Sequence, residues 1–206
     1  MCIVDADFDF ILDRVENYKF LAYTDEASLE MYAYFVEPLN RILKLGLKNF
    51  EGKADQVLDD LEKVLHEDFL VRAVNEELQL GLNWLSFERK CNISADGTVT
   101  FDAEKFVSDY LNKNEASYLE KKFRKVRSNL KKRLNDRRTR YMRGHDYASL
   151  LSRYLGEICR GKEAKKIHRN NVVDHMLFLA LDISELQSTP LFQRIRDTFS
   201  PSQLAD

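Results

Sequence analysis

Glycine and proline are scarce in this chain, with 7 glycines and 3 prolines among its 206 residues. Turn-rich all-β sandwiches and collagen-like arrays use both residues often, so the scarcity disfavours these folds. Cysteine is also rare. Cys2, Cys91 and Cys159 are odd in number and far apart, which argues against a disulfide scaffold or a paired-cysteine zinc site. We therefore expect a reducing, cytoplasmic location.

Long apolar runs and common cofactor motifs are absent as well. No stretch approaches the roughly 18 apolar residues of a membrane span, and the N-terminal segment is acidic where a secretory signal is basic. We therefore expect no membrane partner. The glycine-rich dinucleotide loop and the G-x-S-x-G hydrolase elbow do not occur, and His168 and His175 lack the H-x-x-x-H spacing of a metal site. We predict neither a cofactor nor a bound metal.

Charge is distributed very unevenly, although the formal net charge is only −2. Residues 1–120 carry 25 acidic and 12 basic side chains, whereas residues 121–169 carry 18 basic and 4 acidic ones. The density of cations peaks between Lys121 and Arg143, where Asp136 is the only acidic residue. Unmatched cations at this density repel one another, which favours a polyanionic partner. The alternative is that the basic helix pairs internally with the acidic N-terminal half.

The basic segment predicts a helix over about 121–143 that contacts nucleic acid, RNA rather than DNA, or an acidic protein partner. Its apolar stripe is narrow, so most of its circumference is left to solvent or a partner. Two aromatic residues of the segment, Phe123 and Tyr141, are available to stack on bases. The cations predicted to bind nucleic acid are Lys121, Lys122, Arg124, Lys125, Arg127, Lys131, Lys132, Arg133, Arg137, Arg138 and Arg143.

Apolar residues recur every three to four positions through most of the chain, which predicts an all-α fold, an irregular helical bundle. The first amphipathic helix is expected over about 6–20, and the polar step His66-Glu67-Asp68 is a point where two later helices could separate. Residues 91–101 instead alternate around Asp96-Gly97, which predicts one small β-hairpin.

Helix starts are marked by polar capping residues. Asp102 and the pair Thr189-Pro190 are expected to open helices, Gly144 to end the basic region, and Asp146 to cap the helix after it. We expect the parts of the chain to be integrated into one domain. They are an acidic helical body over 1–90, the hairpin over 91–101, and the basic helix with C-terminal helices over 102–206.

Arg140, His145 and Tyr147 form an R-x4-H-x-Y pattern at the junction of two predicted helices. The pattern resembles the signature of the HEPN superfamily, small all-α domains that often act as metal-independent ribonucleases in toxin–antitoxin and antiviral systems. The resemblance implies that Arg140 and His145 act on an RNA phosphodiester, in a site completed across a homodimer. An imidazole can transfer the 2′-hydroxyl proton, and a guanidinium can hold the phosphoryl oxygens.

Three classes of function therefore remain open from the sequence. The first is a helical binding protein that uses the basic helix to contact nucleic acid or an acidic protein. The second is a HEPN-type endoribonuclease with Arg140, His145 and Tyr147 in its catalytic site. The third is a small inhibitor or adaptor of phage or mobile-element type, a class to which no particular residue of this chain points.

Overall fold

The protein is described by a computed structural model that covers residues 2–18, 20–46, 53–134, 138–158 and 170–199. This part of the chain has an all-α fold with two small two-stranded sheets, in agreement with the helical periodicity of the sequence. The helices are α1 (Asp9–Leu12), α2 (Val36–Gly46), α3 (Ala54–Glu77), α4 (Ala103–Lys113), α5 (Glu120–Lys131), α6 (Gly144–Ile158), α7 (Asn170–Ala180), α8 (Ile183–Gln187) and α9 (Pro190–Thr198). Short 3-10 turns lie at Leu29–Ala33, Phe87–Lys90, Ser117–Leu119 and Arg138–Tyr141.

The long helix α3 forms the centre of the fold. It packs against α2, α4, α5 and α6, and its apolar residues are buried along nearly its whole length. The polar step His66-Glu67-Asp68 does not interrupt it. Asp68 is buried and accepts a hydrogen bond from Arg72 one turn later at 3.2 Å, so this carboxylate has a partner within the continuous helix.

The N-terminal segment corrects the predicted helix over 6–20. Among the described residues of this range, only those of α1 are helical, and the helix ends at Asp13 in the left-handed conformation with φ of 57°. Val15 and Tyr18, which complete the apolar periodicity, are exposed and contribute nothing to the core. The flanking residues instead form a parallel pair of strands, β1 (Cys2–Val4) and β2 (Leu21–Tyr23), with Cys2 opposite Leu21.

The predicted hairpin is confirmed. Strands β3 (Asn92–Ile93) and β4 (Val99–Thr100) pair in antiparallel register. Gly97 in the turn has φ of 89°, a conformation that glycine adopts without strain. A Cβ at this position would lie 2.7 Å from the Tyr154 hydroxyl, so the close approach of α6 also requires glycine.

The basic segment is less helical than the sequence predicts. Helix α5 ends at Lys131, and the next described element is the 3-10 turn at Arg138–Tyr141, so the prediction of one helix over 121–143 is wrong. Gly144 begins α6 instead of ending the basic region. Its N–H donates to Ser28 Oγ at 2.9 Å, and its Cα lies so close to Glu30 that a Cβ would collide with that side chain. This tertiary contact fixes the start of α6.

Two of the predicted helix caps are confirmed. Asp102 accepts a hydrogen bond from Lys105 N at the start of α4, and Thr189 accepts one from Phe192 N at the start of α9, with Pro190 in the first turn. Asp146 is not a cap, because it lies inside the first turn of α6 and its carboxylate binds Arg72. Among the described residues, no helix combines the length and apolar character needed to cross a membrane.

Candidate nucleic-acid interface

Helix α5 presents one apolar face to the core of the protein. Phe123 and Leu130 on this face are buried, and α5 lies against α3 and α4. The rest of its surface is cationic, so the packing of this single face determines which cations reach the acidic half and which remain in solvent. The cations consequently divide into two groups.

The first group is bound to carboxylates of the protein. Arg127 pairs with Glu67 on α3 and with Glu104 on α4. Arg124 pairs with Glu104 and, at 2.7 Å, with Glu120, while Lys131 pairs with Glu67. The side chain of Arg127 is only 9% exposed, so little of this predicted nucleic-acid contact is accessible to a partner. Part of the charge imbalance in the sequence is therefore neutralised within the fold.

Glu67 joins α3 to α5 through two cations. Burial raises the pKa of this carboxyl, but hydrogen bonds from Lys131 and Arg127 outweigh burial and hold the pKa below its ordinary value. A lowered pKa means that the folded state binds the proton less tightly than the unfolded state does. The stabilisation is therefore fully present above the unfolded-state pKa of about 4.5 and is lost as the pH falls through the lower folded-state pKa.

We expect Glu67→Gln to lower the free energy of unfolding at neutral pH by roughly 1–3 kcal/mol, since it leaves the Arg127 guanidinium without one of its charged partners. The difference from the wild type should shrink as the pH falls below about 4.5. Urea denaturation at several pH values measures both effects. A difference that stays constant or grows on acidification would contradict the assigned role of Glu67.

The second group of cations consists of four exposed lysines away from the buried face: Lys121, Lys122 and Lys125 in α5, and Lys132 at its C-terminal cap. None of them forms a hydrogen bond or an ion pair with another described residue, and we call them the lysine stripe. Lys121, Lys125 and Lys132 recur at helical spacing on one face. With a rise of 1.5 Å per residue, Lys121 and Lys132 are separated by about 16 Å along the axis.

One exposed aromatic residue adjoins the lysine stripe. Tyr118 lies in the 3-10 turn that leads directly into α5, three and four residues before Lys121 and Lys122, and it is 84% exposed. The two aromatic residues that the sequence offered for stacking, Phe123 and Tyr141, are both buried. The cationic run of the sequence begins at Lys121 and so does not include Tyr118. The sequence feature that indicates an exposed Tyr118 is its position one helical turn before Lys121 and Lys122, on the side opposite the apolar stripe.

Two of the other predicted cations, Arg133 and Arg143, have partners within the fold. Arg133 donates to the Ile11 carbonyl at 3.0 Å, and Arg143 pairs with Asp7 at 3.3 Å while its guanidinium lies over the Phe8 ring. Both therefore contact the N-terminal segment. Arg137 and the side chain of Arg138 lie outside the described residues.

The R-x4-H-x-Y residues have three different environments. His145 is in the first turn of α6 with its side chain 71% exposed, and its Nε2 is 3.8 Å from Glu30 Oε1. Arg140 Nε donates to the Asp25 carbonyl at 3.0 Å, and its guanidinium lies 4.2 Å from the centroid of the Phe10 ring. Arg140 and His145 thus both lie against the segment 25–30.

Tyr147 is separated from this surface, because its side chain is fully buried. Its ring packs edge-on against Tyr34, and its hydroxyl has no hydrogen-bond partner among the described residues. Burial raises the pKa of the Tyr147 hydroxyl. The structure therefore gives Tyr147 a place in the packing of α6 and no direct access to a substrate.

A largely buried ionic cluster includes Asp146, the residue after His145. Arg72 donates to Asp68 Oδ2 at 3.2 Å and to Asp146 Oδ1 at 2.8 Å, and its guanidinium lies 3.8 Å from the centroid of the Trp84 ring. Burial, followed by the nearby Asp146 charge, raises the pKa of Asp68 well above its ordinary value. One arginine thus joins α3 to the first turn of α6, the turn that presents His145.

Comparison of the chain with protein-family models, curated proteins and solved structures gives no match. Within the described ranges, no group of three or more His, Cys, Asp or Glu side chains is arranged to hold a metal ion.

Proposed function

We propose that this protein binds the phosphate backbone of nucleic acid, RNA rather than DNA, through the lysine stripe of α5. The observation that carries the proposal is a row of exposed lysines on one helix face that bind no other described residue. Neighbouring cations of the same helix are neutralised by Glu67, Glu104 and Glu120. The preference for RNA is supported by the resemblance of the Arg140–Tyr147 pattern to the HEPN signature.

The electrostatics of the helix support this choice. The acidic half neutralises Arg124, Arg127 and Lys131, so internal pairing accounts for only part of the basic segment. Lysines that remain adjacent on an exposed face repel one another, and a phosphate backbone relieves this repulsion while releasing its condensed counterions. Binding of this kind requires no base-specific contact.

The test is the salt dependence of binding for a Lys121→Ala, Lys125→Ala, Lys132→Ala triple variant. Each phosphate contact contributes about 0.7–0.9 to the slope of log K against log salt, so removing three contacts should reduce the slope by about 2–3. Fluorescence anisotropy of a labelled RNA gives the slope. Lys131 and Arg133 are unsuitable for this test, because the fold already uses them to bind Glu67 and the Ile11 carbonyl.

A charge-matched control replaces Lys53, Arg89 and Arg196, three exposed cations on other parts of the surface. The control variant should keep the wild-type slope, since it changes the net charge equally without touching the stripe. If the slope decreases equally in both variants, the decrease reflects net charge alone and the proposal is overturned. If the wild type binds neither RNA nor DNA but binds an acidic protein, the proposal of nucleic-acid binding is overturned and the partner is an acidic protein.

Ribonuclease activity is the second candidate function, and the position of His145 favours it. The imidazole is exposed in the first turn of α6 and lies against the same segment as Arg140. An exposed histidine can reach the 2′-hydroxyl of a bound RNA, and a nearby arginine can hold the scissile phosphate. In this candidate the lysine stripe collects the substrate. The burial of Tyr147 limits that residue to a structural role.

A further inference from the structure

Tyr118 adds an exposed aromatic ring to the N-terminal end of the lysine stripe. It lies in the 3-10 turn Ser117–Leu119 and precedes Lys121, in the first turn of α5, by three residues. It precedes Lys122 by four residues, so both lysines are its neighbours on the exposed side. From Tyr118 to Lys132 the surface runs about 21 Å along the axis.

The backbone around Tyr118 is firmly placed. Ala116 before it is buried, and Leu119 after it packs against the core while its N–H donates to the Ala116 carbonyl at 2.9 Å. The tyrosine is thus presented outward by two anchored neighbours. Tyr118 is 84% exposed, and no hydrogen bond or ring contact joins it to another described residue. An exposed and unpartnered aromatic ring beside cations has a face on which an unpaired base can stack.

We infer that the lysine stripe and Tyr118 together bind single-stranded nucleic acid, with an unpaired base stacked on the Tyr118 ring and the adjoining phosphates on the lysines. The inference rests on the proposed function and names its substrate class. A duplex keeps its bases stacked inside, so a surface tyrosine gains little from it, whereas a single strand offers a free base face. An acidic protein would satisfy the lysines without using the aromatic ring.

The test compares Tyr118→Ala with Tyr118→Phe on two substrates, an unstructured oligonucleotide of about 12 nucleotides and a duplex of the same length. Loss of one stacked base should weaken single-strand binding about 5- to 150-fold in Tyr118→Ala. Duplex binding should change by less than about 2-fold. Tyr118→Phe should bind like the wild type, because it keeps the ring. Oligo(U) and oligo(dT) used side by side distinguish RNA from DNA as the source of the strand.

A matched control and a direct spectroscopic readout complete the experiment. Tyr18→Ala removes another exposed aromatic side chain, outside the stripe, and should leave binding unchanged. In a Tyr118→Trp variant, the indole fluorescence should be quenched when the single strand binds, since the base stacks directly on it.

The outcomes separate this inference from the proposed function. If the lysine triple variant loses binding while Tyr118→Ala does not, phosphate binding stands and the stacking inference is overturned. Equal weakening of single-strand and duplex binding by Tyr118→Ala would also overturn it. If the wild type binds neither substrate, the proposed function itself fails.

Discussion

Replacing Arg72 by Met is expected to lower the free energy of unfolding by about 3–5 kcal/mol. The substitution removes the only cation that hydrogen-bonds Asp68 and Asp146 among the described residues. It leaves two neighbouring buried carboxyl groups, and because the pKa of Asp68 is already raised, the loss of stability should be largest at pH values where both are ionised. Methionine keeps much of the side-chain volume, so the loss reports charge more than packing. Urea denaturation followed by circular dichroism measures the change.

Arg14→Met provides the matched control. Arg14 also binds two carboxylates, those of Glu76 and Glu77, but this cluster is exposed to solvent. Exposed ion pairs contribute about 0–1 kcal/mol, so this variant should be almost as stable as the wild type. Adding Asp68→Asn and Asp146→Asn to Arg72→Met should restore part of the lost stability by removing the unpaired charges. Equal effects of Arg72→Met and Arg14→Met would contradict the role assigned to the buried cluster.

Replacing His145 by Ala is expected to abolish RNA cleavage under the ribonuclease hypothesis, while RNA binding stays nearly unchanged. A general acid–base group contributes about 10²–10⁴-fold to the rate, whereas the lysine stripe supplies the attraction for the substrate. The exposed imidazole makes few contacts, so stability should change by about 1 kcal/mol or less. Cleavage should survive EDTA and yield products ending in 2′,3′-cyclic phosphate. Gel analysis of end-labelled RNA measures the cleavage, with and without EDTA, and identifies the product ends.

His175→Ala is the control for this experiment, because His175 is another exposed histidine on a different helix. It should cleave at the wild-type rate. Arg140→Ala should also lose cleavage, but it breaks the contacts with the Asp25 carbonyl and Phe10, so its folding must be measured in parallel. A wild type that leaves varied RNAs intact would reject the ribonuclease hypothesis, and cleavage that persists in His145→Ala would reject the site.

The features that the sequence predicts correctly depend on neighbouring residues. The turn at Asp96-Gly97 and the cap at Asp102 form as predicted, because their hydrogen bonds join residues a few positions apart. The apolar periodicity likewise predicts the fold class. The same periodicity wrongly predicts a helix across Val15 and Tyr18. Periodicity indicates that an amphipathic helix could form, but it does not indicate whether the apolar face of that helix packs against a core.

The candidate interface was predictable only in outline. The sequence identifies the basic segment, including Lys121 and Lys125, but it treats Arg127 as equivalent to them. The Arg127 side chain is held in the fold by Glu67, 60 residues earlier in the chain, and is not left in solvent. This contact exists only because α3 packs against α5. The same reason explains why Tyr141, which the sequence suggested for stacking, is buried, whereas Tyr118 is exposed. Exposure depends on which side of each turn packs against the core.

By itself, then, the sequence determined the helical fold class, the hairpin, two helix caps and the location of the positive charge. These properties follow from local backbone preferences and from composition. The tertiary structure alone decided that the chain turns after Lys131, that Gly144 begins α6 against Glu30, and which cations remain in solvent. Each of these depends on contacts between residues distant in sequence, and such contacts become fixed only when the helices pack around α3.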